Sequence, residues 1–256
     1  MFGKKKKAPS TEYHQLRNLK KVAIVGFAEH KRLAPFDDSE FEIWGLNELY
    51  DHIPLEKAKK ERRLRWFEIH KREAVYDGNP FGSRNNETKH VEKLNGLGQH
   101  CPVYMGQHWD DIATSIPYPL QTMIDNYGGY FTNSISYMIA LAVYEGFEEI
   151  HIYGVDMAQA TEWANQRPSC EYFVGLAKGK GIRVYMPPDA DLCKTSFLYG
   201  FEEDEASALK AKLKSRQAEL QKRLNENNHQ LQMGKSMSDQ IAGALQDLEY
   251  ILQSWV

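Results

Sequence analysis

Cysteine is scarce in this 256-residue chain. Cys101, Cys170 and Cys193 are an odd number, and no two of them stand in C-x-x-C spacing. A disulfide framework needs paired cysteines and a structural zinc site needs closely spaced ligands, so the sequence indicates neither. We therefore expect no metal site and a cytoplasmic location.

The chain also lacks a large excess of one charge and any long apolar run. Its net charge of −3 gives no general attraction to nucleic acid or to an anionic membrane. The most apolar stretch, Ile135 to Val143, is far too short to span a bilayer. The only basic run, Lys4 to Lys7, lies within residues 1–19, which are expected to form a disordered or extended basic tail.

Residues 20–200 alternate short apolar runs with amphipathic segments. Six runs are typical of strands, at 22–25, 42–46, 64–69, 102–105, 149–153 and 183–186. Helices are predicted at 134–145 and 171–180. Runs this apolar suit parallel strands covered on both faces, so the pattern predicts a Rossmann-like α/β domain with a doubly wound, mostly parallel sheet.

Glycine and proline are absent from Glu202 to Met233, where leucines recur at spacings of four and seven. Gly234 interrupts this pattern, and a second apolar stripe follows from Met237 to Trp255. Residues 201–256 are therefore predicted to form a C-terminal α-helical hairpin. Such a hairpin cannot bury both stripes internally, so it either packs on the α/β domain or meets its counterpart in another subunit. A homo-oligomer is the preferred interpretation.

Polar residues follow the predicted strands. Ligands of a doubly wound sheet bind beyond the carboxyl ends of its strands, so these residues are the candidate site. They are Gly26, Phe27, Ala28 and Glu29 after the first strand, Asn47 and Glu48 after the second, His70 after the third, and Asp156 and Met157 after the fifth. Asn, Asp and Gly are also what turns need, so the hypothesis depends on their recurrence at one edge.

Two phosphate-binding motifs are missing from the sequence. The first turn has no G-x-G-x-x-G, and no G-x-x-x-x-G-K-[ST] occurs, so neither tight pyrophosphate binding of the NAD type nor a P-loop hydrolase is expected. Ser134 and its neighbour Asn133 stand at a predicted helix start. They would either contact a phosphate at the positive end of the helix dipole or simply cap the helix.

Two segments carry a resemblance to known families, "KKVAIVGFAEHKRLAPFDDSEFEIWGLNELY" and, much later, "YFTNSISYMIALAVYEGFEEIHIYGVDM". Together they resemble the two halves of the nucleotide site in bacterial sialyltransferases that use a CMP-activated sugar, and more loosely the MptE-like pyrophosphokinases. The chain is also similar to a group of tailed-phage proteins that share W-G-L-N-E-L-Y and R-W-F-E-I-H. A phage origin would imply the host cytoplasm as the location.

The resemblance implies that Gly26 to Glu29, Asn47 and Ser134 contact a nucleotide, and that Asp156 lies beside its base or ribose. The sequence departs from the sialyltransferases in having Phe27 where they have Asn. It also has no histidine from Met157 to Cys193, where they carry a catalytic one. Chemistry of that type would need another base, and His70 and Asp156 are the candidates.

Three functions remain open at this point. The chain is a transferase, glycosyltransferase-like, that uses a nucleotide or nucleotide-sugar ligand; or it sequesters a nucleotide without catalysis, as a phage anti-defence module; or it is an assembly protein that uses its C-terminal helices. No further cofactor is expected. Glu162, Arg167 and Glu171 belong to a charged segment with a tryptophan, residues 159–171, which is either an active-site lid or an ordinary surface loop.

Overall fold

The computed structural model describes residues 19–72, 84–158, 162–195, 197–202 and 205–255. All but the last residue of the predicted basic tail, and residues 159–161 of the predicted lid, lie outside these ranges. The chain forms two units, of which the first ends at Lys194 and the second begins at Thr195. In the described part, no helix combines the length and the apolarity that crossing a membrane requires.

The first unit is built on one sheet of seven strands, and every neighbouring pair is parallel. The strands are β1 Lys21–Val25, β2 Phe41–Leu46, β3 Leu64–Glu68, β4 Val103–Met105, β5 Ser115–Pro117, β6 Glu149–Tyr153 and β7 Arg183–Tyr185. The predicted parallel α/β sheet is confirmed. Strand β5 was not predicted, because three residues with a serine and a proline give no strand pattern.

The strand order places a switch point in the middle of the sheet. The order is β5-β4-β3-β2-β1-β6-β7, so the chain moves outward from β1 to β5 and then returns to the other side of β1. The chain therefore leaves the adjacent strands β1 and β6 toward opposite halves of the sheet. Doubly wound sheets bind their ligands in the crevice at such a switch point.

Helices connect the strands and cover the sheet. They are α1 Glu56–Lys60, α2 Arg84–Gly98, α3 Leu120–Tyr127, α4 Ser134–Tyr144 and α5 Arg167–Gly179, with 3₁₀ turns at Glu29–Leu33 and Asn47–Asp51 and a π-helical turn at Glu162–Gln166. Helix α4 packs against β1 and β3 and also against α5. Its apolar residues are buried on nearly every side, which is why it shows little amphipathic pattern.

The core continues through both faces of the central strands. Val22, Ala23 and Ile24 have no exposed surface, and neither do Trp44 and Trp66 on the neighbouring strands. Continuous burial of this kind explains the unbroken apolar runs in the sequence, because a strand covered on both faces has no solvent side.

The second unit contains one continuous helix, α6, from Glu205 to Trp255. The predicted hairpin is therefore wrong, since Gly234 lies inside this helix. A glycine in a helix interior costs about 1 kcal/mol relative to alanine but does not prevent hydrogen bonding of the backbone. Its neighbours Met233 and Lys235 are good helix formers, and no proline or turn-forming pair is present to end the helix.

Candidate functional site

The switch point is marked by two glycines in close contact. The Gly26 amide donates to the Tyr153 carbonyl at 2.8 Å, and the Ala28 amide donates to the Gly154 carbonyl at 2.9 Å. A Cβ atom on Gly26 would lie 2.5 Å from the Gly154 oxygen, and a Cβ on Gly154 would overlap the Gly26 carbonyl in the same way. Gly154 also has a φ of +67°, in the left-handed region. The loops after β1 and β6 therefore pack backbone against backbone at the switch point, and each glycine makes room for the other.

Asp156 faces a buried histidine at this crevice. Its Oδ1 lies 3.5 Å from Nε2 of His30, whose side chain is only 6% exposed. The Asp191 amide, from the segment after β7, approaches the same carboxylate oxygen at 3.5 Å. Among the described residues, His30 Nε2 has no hydrogen-bond partner. The His30 ring and the Asp156 carboxylate therefore lie close together, and His30 Nε2 makes no hydrogen bond among the described residues.

Asn47 and Phe27 belong to the same edge of the sheet. Asn47 adopts a φ of +49°, and its carbonyl accepts a hydrogen bond from Trp66 Nε1 at 2.9 Å. Its side-chain Oδ1 is buried and unbonded within the ranges that the structure describes. The Phe27 ring is 44% exposed and meets His52 edge-on. This edge therefore presents an exposed aromatic ring, whereas the Asn47 amide oxygen is inaccessible.

Several predicted residues have their polar groups bonded within the protein or have their side chains in solvent. Asn133 caps α4, because its Oδ1 accepts from the Ser136 amide at 2.9 Å. Its amide group also donates to the Gln166 carbonyl at 2.9 Å. Ser134 is the first residue of α4, and Met157 has a φ of +51° after β6. Glu29 pairs with Arg32 in solvent, Glu48 is half-buried, and Glu162 is exposed.

Arg167 and Glu171 hold the segment that follows β7. Arg167 Nε donates to Glu171 Oε1 at 2.7 Å, and its terminal nitrogen donates to the Asp191 carbonyl at 2.7 Å. The Cys193 amide donates to the same Glu171 oxygen at 2.9 Å. Because the Asp191 amide approaches Asp156, these two residues help to shape the crevice without lying in it.

A buried carboxylate stands at the end of β3, two strands from β1. Glu68 is fully buried and lies between two histidines, with Oε1 2.6 Å from His70 Nδ1 and Oε2 2.8 Å from His90 Nε2. The hydroxyl of Tyr50 lies 2.6 Å from His90 Nδ1. We call these four residues the Glu68 chain; they come from β3, the segment after it, α2 and the 3₁₀ turn after β2.

The pKa values of the Glu68 chain agree with one arrangement of protons. Burial opposes ionisation of Glu68, but hydrogen bonds from His70 and His90 outweigh it and lower the pKa of the carboxyl group. Burial raises the pKa of Tyr50, so its hydroxyl keeps its proton. Tyr50 then donates to His90 Nδ1, His90 Nε2–H donates to Glu68, and His70 Nδ1–H donates to the other oxygen.

A groove of about 550 Å³ opens beside Tyr50 and His90. Tyr50 and His90 line it together with three lysines, three acidic residues and His100; the charged residues are Lys59, Lys89, Lys93, Glu48, Asp51 and Glu92. The charges of this lining balance, so the groove has no preference for an anion.

Compared with known proteins, the chain matches no family model, no curated protein and no solved structure. The fold and the switch-point crevice define a Rossmann-like α/β domain, and the class is established by the parallel sheet alone.

Proposed function

We propose that the α/β domain binds a nucleotide or a nucleotide sugar in the crevice between the carboxyl ends of β1 and β6. The observation that carries this proposal is the mutual contact of Gly26 and Gly154 at the switch point, beside Asp156 and His30. The switch point is the usual ligand position in this fold, and the Asp156 side chain is 36% exposed there.

The polar groups around the crevice suit a nucleoside. Asp156 is an acceptor for ribose hydroxyls or a base amine, and its side chain is 36% exposed. The exposed Phe27 ring offers a surface on which a base can stack.

Substitution of Asp156 is expected to abolish ligand-induced stabilisation. The melting temperature of the full chain rises with a nucleotide that binds only the native state, and Asp156→Ala removes that rise. Asp156→Asn keeps the shape of the side chain, and the free energy of ligand binding weakens by about 1 to 3 kcal/mol because one hydrogen bond to the ligand is mispaired. Differential scanning fluorimetry with a panel of nucleotides and CMP-, UDP- and GDP-linked sugars measures both effects.

Asp110→Ala is the matched control, because the Asp110 carboxylate is fully exposed on another loop. This variant keeps the wild-type response to every ligand. A panel that stabilises neither wild type nor control contradicts nucleotide binding. Equal stabilisation of wild type and Asp156→Ala places the ligand elsewhere.

Whether the bound nucleotide reacts separates two versions of this proposal. Release of free nucleotide from a sugar donor means group transfer, glycosyltransferase-like in type. Tight binding of an unchanged nucleotide means sequestration, the role we associate with a phage protein acting against a host signal.

A second proposed role, assembly, is favoured by α6. Seven of its apolar residues occupy a or d positions of one heptad register, namely Leu213, Leu220, Leu224, Leu231, Ile241, Leu245 and Leu248. The same register places Lys210, Gln217, Asn227, Gly234 and Ser238 at the intervening a and d positions. The seven apolar side chains are 49% to 71% exposed. A stripe that runs in one register along a single helix is complementary to a second copy of itself, so we propose that α6 forms a coiled coil between subunits.

Two charges in the stripe are expected to dissociate the oligomer. The double variant Leu224→Glu, Leu231→Glu places carboxylates at two successive a positions and makes the chain monomeric in light scattering. Ser236→Glu, at an outer f position of α6, is the control and remains associated. A wild-type chain that is already monomeric contradicts the assembly role.

A further inference from the structure

The two halves of α6 carry opposite charge. Residues 213–231 contain four lysines and arginines and two glutamates, whereas residues 232–250 contain one lysine and three acidic residues. A parallel pair of such helices would place the two basic halves side by side, and the two acidic halves as well. An antiparallel pair places each basic half along an acidic one, and complementary charge of this kind suppresses the wrong arrangement of an interface. Charge therefore favours the antiparallel orientation.

The small and polar residues inside the apolar stripe favour the same orientation. A parallel pair in register aligns each a or d residue with its own copy, so Gly234 would face Gly234 and Ser238, in the next layer, would face Ser238. Two adjacent layers without an apolar side chain leave a gap in the core, and such a gap lowers the stability of the pair. In an antiparallel pair, a residues face d residues of the other helix, so a small residue can face a large one.

One antiparallel register matches these residues across the centre of the helix. It places Leu231 against Gly234, where the leucine fills the space that the glycine leaves. It also places Asn227 against Ser238, and the side chains of these two residues can hydrogen-bond to each other. The other layers are Leu220 with Leu245, Leu224 with Ile241 and Gln217 with Leu248.

A shift of the partner helix by one heptad spoils this match in either direction. In one direction, Asn227 meets Leu231. In the other, Asn227 meets Leu245, and Ser238 meets Gly234, which leaves a gap. A polar side chain buried against leucine loses its hydrogen bonds to water, which costs free energy. The first register has no gap, and its one mixed layer lies away from the centre.

Two charged residues beside the stripe fit the same register. Lys214 and Glu249 both occupy e positions, and neither forms an ion pair within the part of α6 that the structure describes. By contrast, Arg216 and Arg223 both pair with Glu219 in the same helix. In the antiparallel register, Lys214 of one helix lies beside Glu249 of the other, and the two-fold symmetry of the pair repeats this contact. Charges at such flanking positions set the orientation of coiled coils.

We propose that α6 pairs with α6 of a second copy in the antiparallel orientation, in the register that places Leu231 against Gly234. This inference rests on the proposed assembly role and adds the orientation and the register of the partner helix. The 51 residues of α6 span about 75 Å at a rise of about 1.5 Å per residue. The two chains therefore enter the coiled coil at opposite ends.

Disulfide crosslinking of the full chain tests the orientation and the register together. The background variant is Cys193→Ser, because Cys193 is exposed whereas the other two cysteines are buried. Leu224→Cys protein is mixed with Ile241→Cys protein under reducing conditions, and the mixture is then oxidised. The expected result is a crosslinked heterodimer, identified by mass spectrometry, while neither variant crosslinks with itself. Leu224→Cys mixed with Leu248→Cys is the control and stays uncrosslinked, because these positions face each other only after a shift of one heptad.

A charge exchange tests the contact between Lys214 and Glu249, and it remains informative if the cysteine variants fail to associate. Lys214→Glu places like charges together twice in each pair of helices, which is expected to raise the Kd of self-association by about threefold to tenfold. Adding Glu249→Lys to the same chain restores the wild-type Kd, because opposite charges meet again with their signs exchanged. Ser236→Glu, at an outer f position, keeps the wild-type Kd. Analytical ultracentrifugation measures all four proteins.

The outcomes distinguish this inference from the assembly role itself. A wild-type chain that is monomeric overturns both. A dimer in which Leu224→Cys crosslinks with itself is parallel, and a dimer in which the control pair crosslinks has the shifted register. Either result, or a charge exchange without rescue, overturns the inference and leaves assembly through α6 standing.

Discussion

Gly154→Ala is expected to destabilise the α/β domain by about 2 to 4 kcal/mol. Gly154 holds a φ of +67°, where an alanine costs roughly 1 to 2 kcal/mol. The added Cβ would also overlap the carbonyl of Gly26, which is backbone and has no rotamer to change. Strands β1 and β6 would have to separate at the switch point, and the crevice would widen. Urea unfolding followed by circular dichroism measures the loss.

Gly175→Ala is the control for this prediction. Gly175 lies on the exposed side of α5, and a Cβ there would meet nothing within 4 Å. The substitution should stabilise the domain by about 0.5 to 1 kcal/mol, because alanine is the better helix former. Equal effects at the two glycines would mean that the contact between the loops after β1 and β6 does not constrain the fold.

Arg65→Met is expected to lower the free energy of unfolding by about 3 to 5 kcal/mol. Arg65 is buried in β3, donates to both oxygens of Glu42 at 2.5 and 3.2 Å, and donates to Glu145 at 2.7 Å. Its guanidinium also lies over the Trp44 ring. Burial opposes its charge, but the two carboxylates outweigh it and raise the pKa of Arg65 further. Methionine would remove the guanidinium that bonds to both of these partly buried carboxylates.

The corresponding surface variant is Arg216→Met on α6, which removes an exposed ion pair with Glu219 and should change stability by less than about 1 kcal/mol. Adding Glu42→Gln and Glu145→Gln to Arg65→Met should recover part of the lost free energy of unfolding, because the two carboxylate charges that faced Arg65 are removed as well. Chemical denaturation of all four proteins provides the comparison. A loss at Arg65 no larger than at Arg216 would contradict the buried-charge explanation.

Most of the sheet could be predicted because its strands are buried on both faces. A continuous apolar run such as Val22 to Val25 has one reasonable explanation once helical segments alternate with it. Strand β5 was missed because Ser115–Pro117 is short and pairs with β4 through backbone atoms. Helix α2 was missed because its residues Arg84–Gly98 are mostly polar.

The candidate site was only partly accessible to sequence reasoning. Asp156 could be chosen because it follows a strand, and that rule does not depend on its partners. The pairing of Asp156 with His30 and of Glu68 with His90 depends on tertiary packing, since the second pair joins β3 to the unpredicted α2. The one local signal was the position of Glu68 and His70 two residues apart at the end of a predicted strand.

The single helix α6 shows a different limit of sequence reasoning. Gly234 was interpreted as a helix end, although a lone glycine lowers helix stability by only about 1 kcal/mol. The surrounding helix formers outweigh that penalty, and the heptad register continues across Gly234 at a d position.

Hydrogen–deuterium exchange of the full chain, with and without the nucleotide that binds most tightly, tests nucleotide binding at the crevice most directly. The account predicts slower exchange in peptides that cover residues 24–30 and 153–158, where the loops after β1 and β6 meet. Protection confined to residues 84–98 beside the groove, or no protection in either loop on binding, would contradict it.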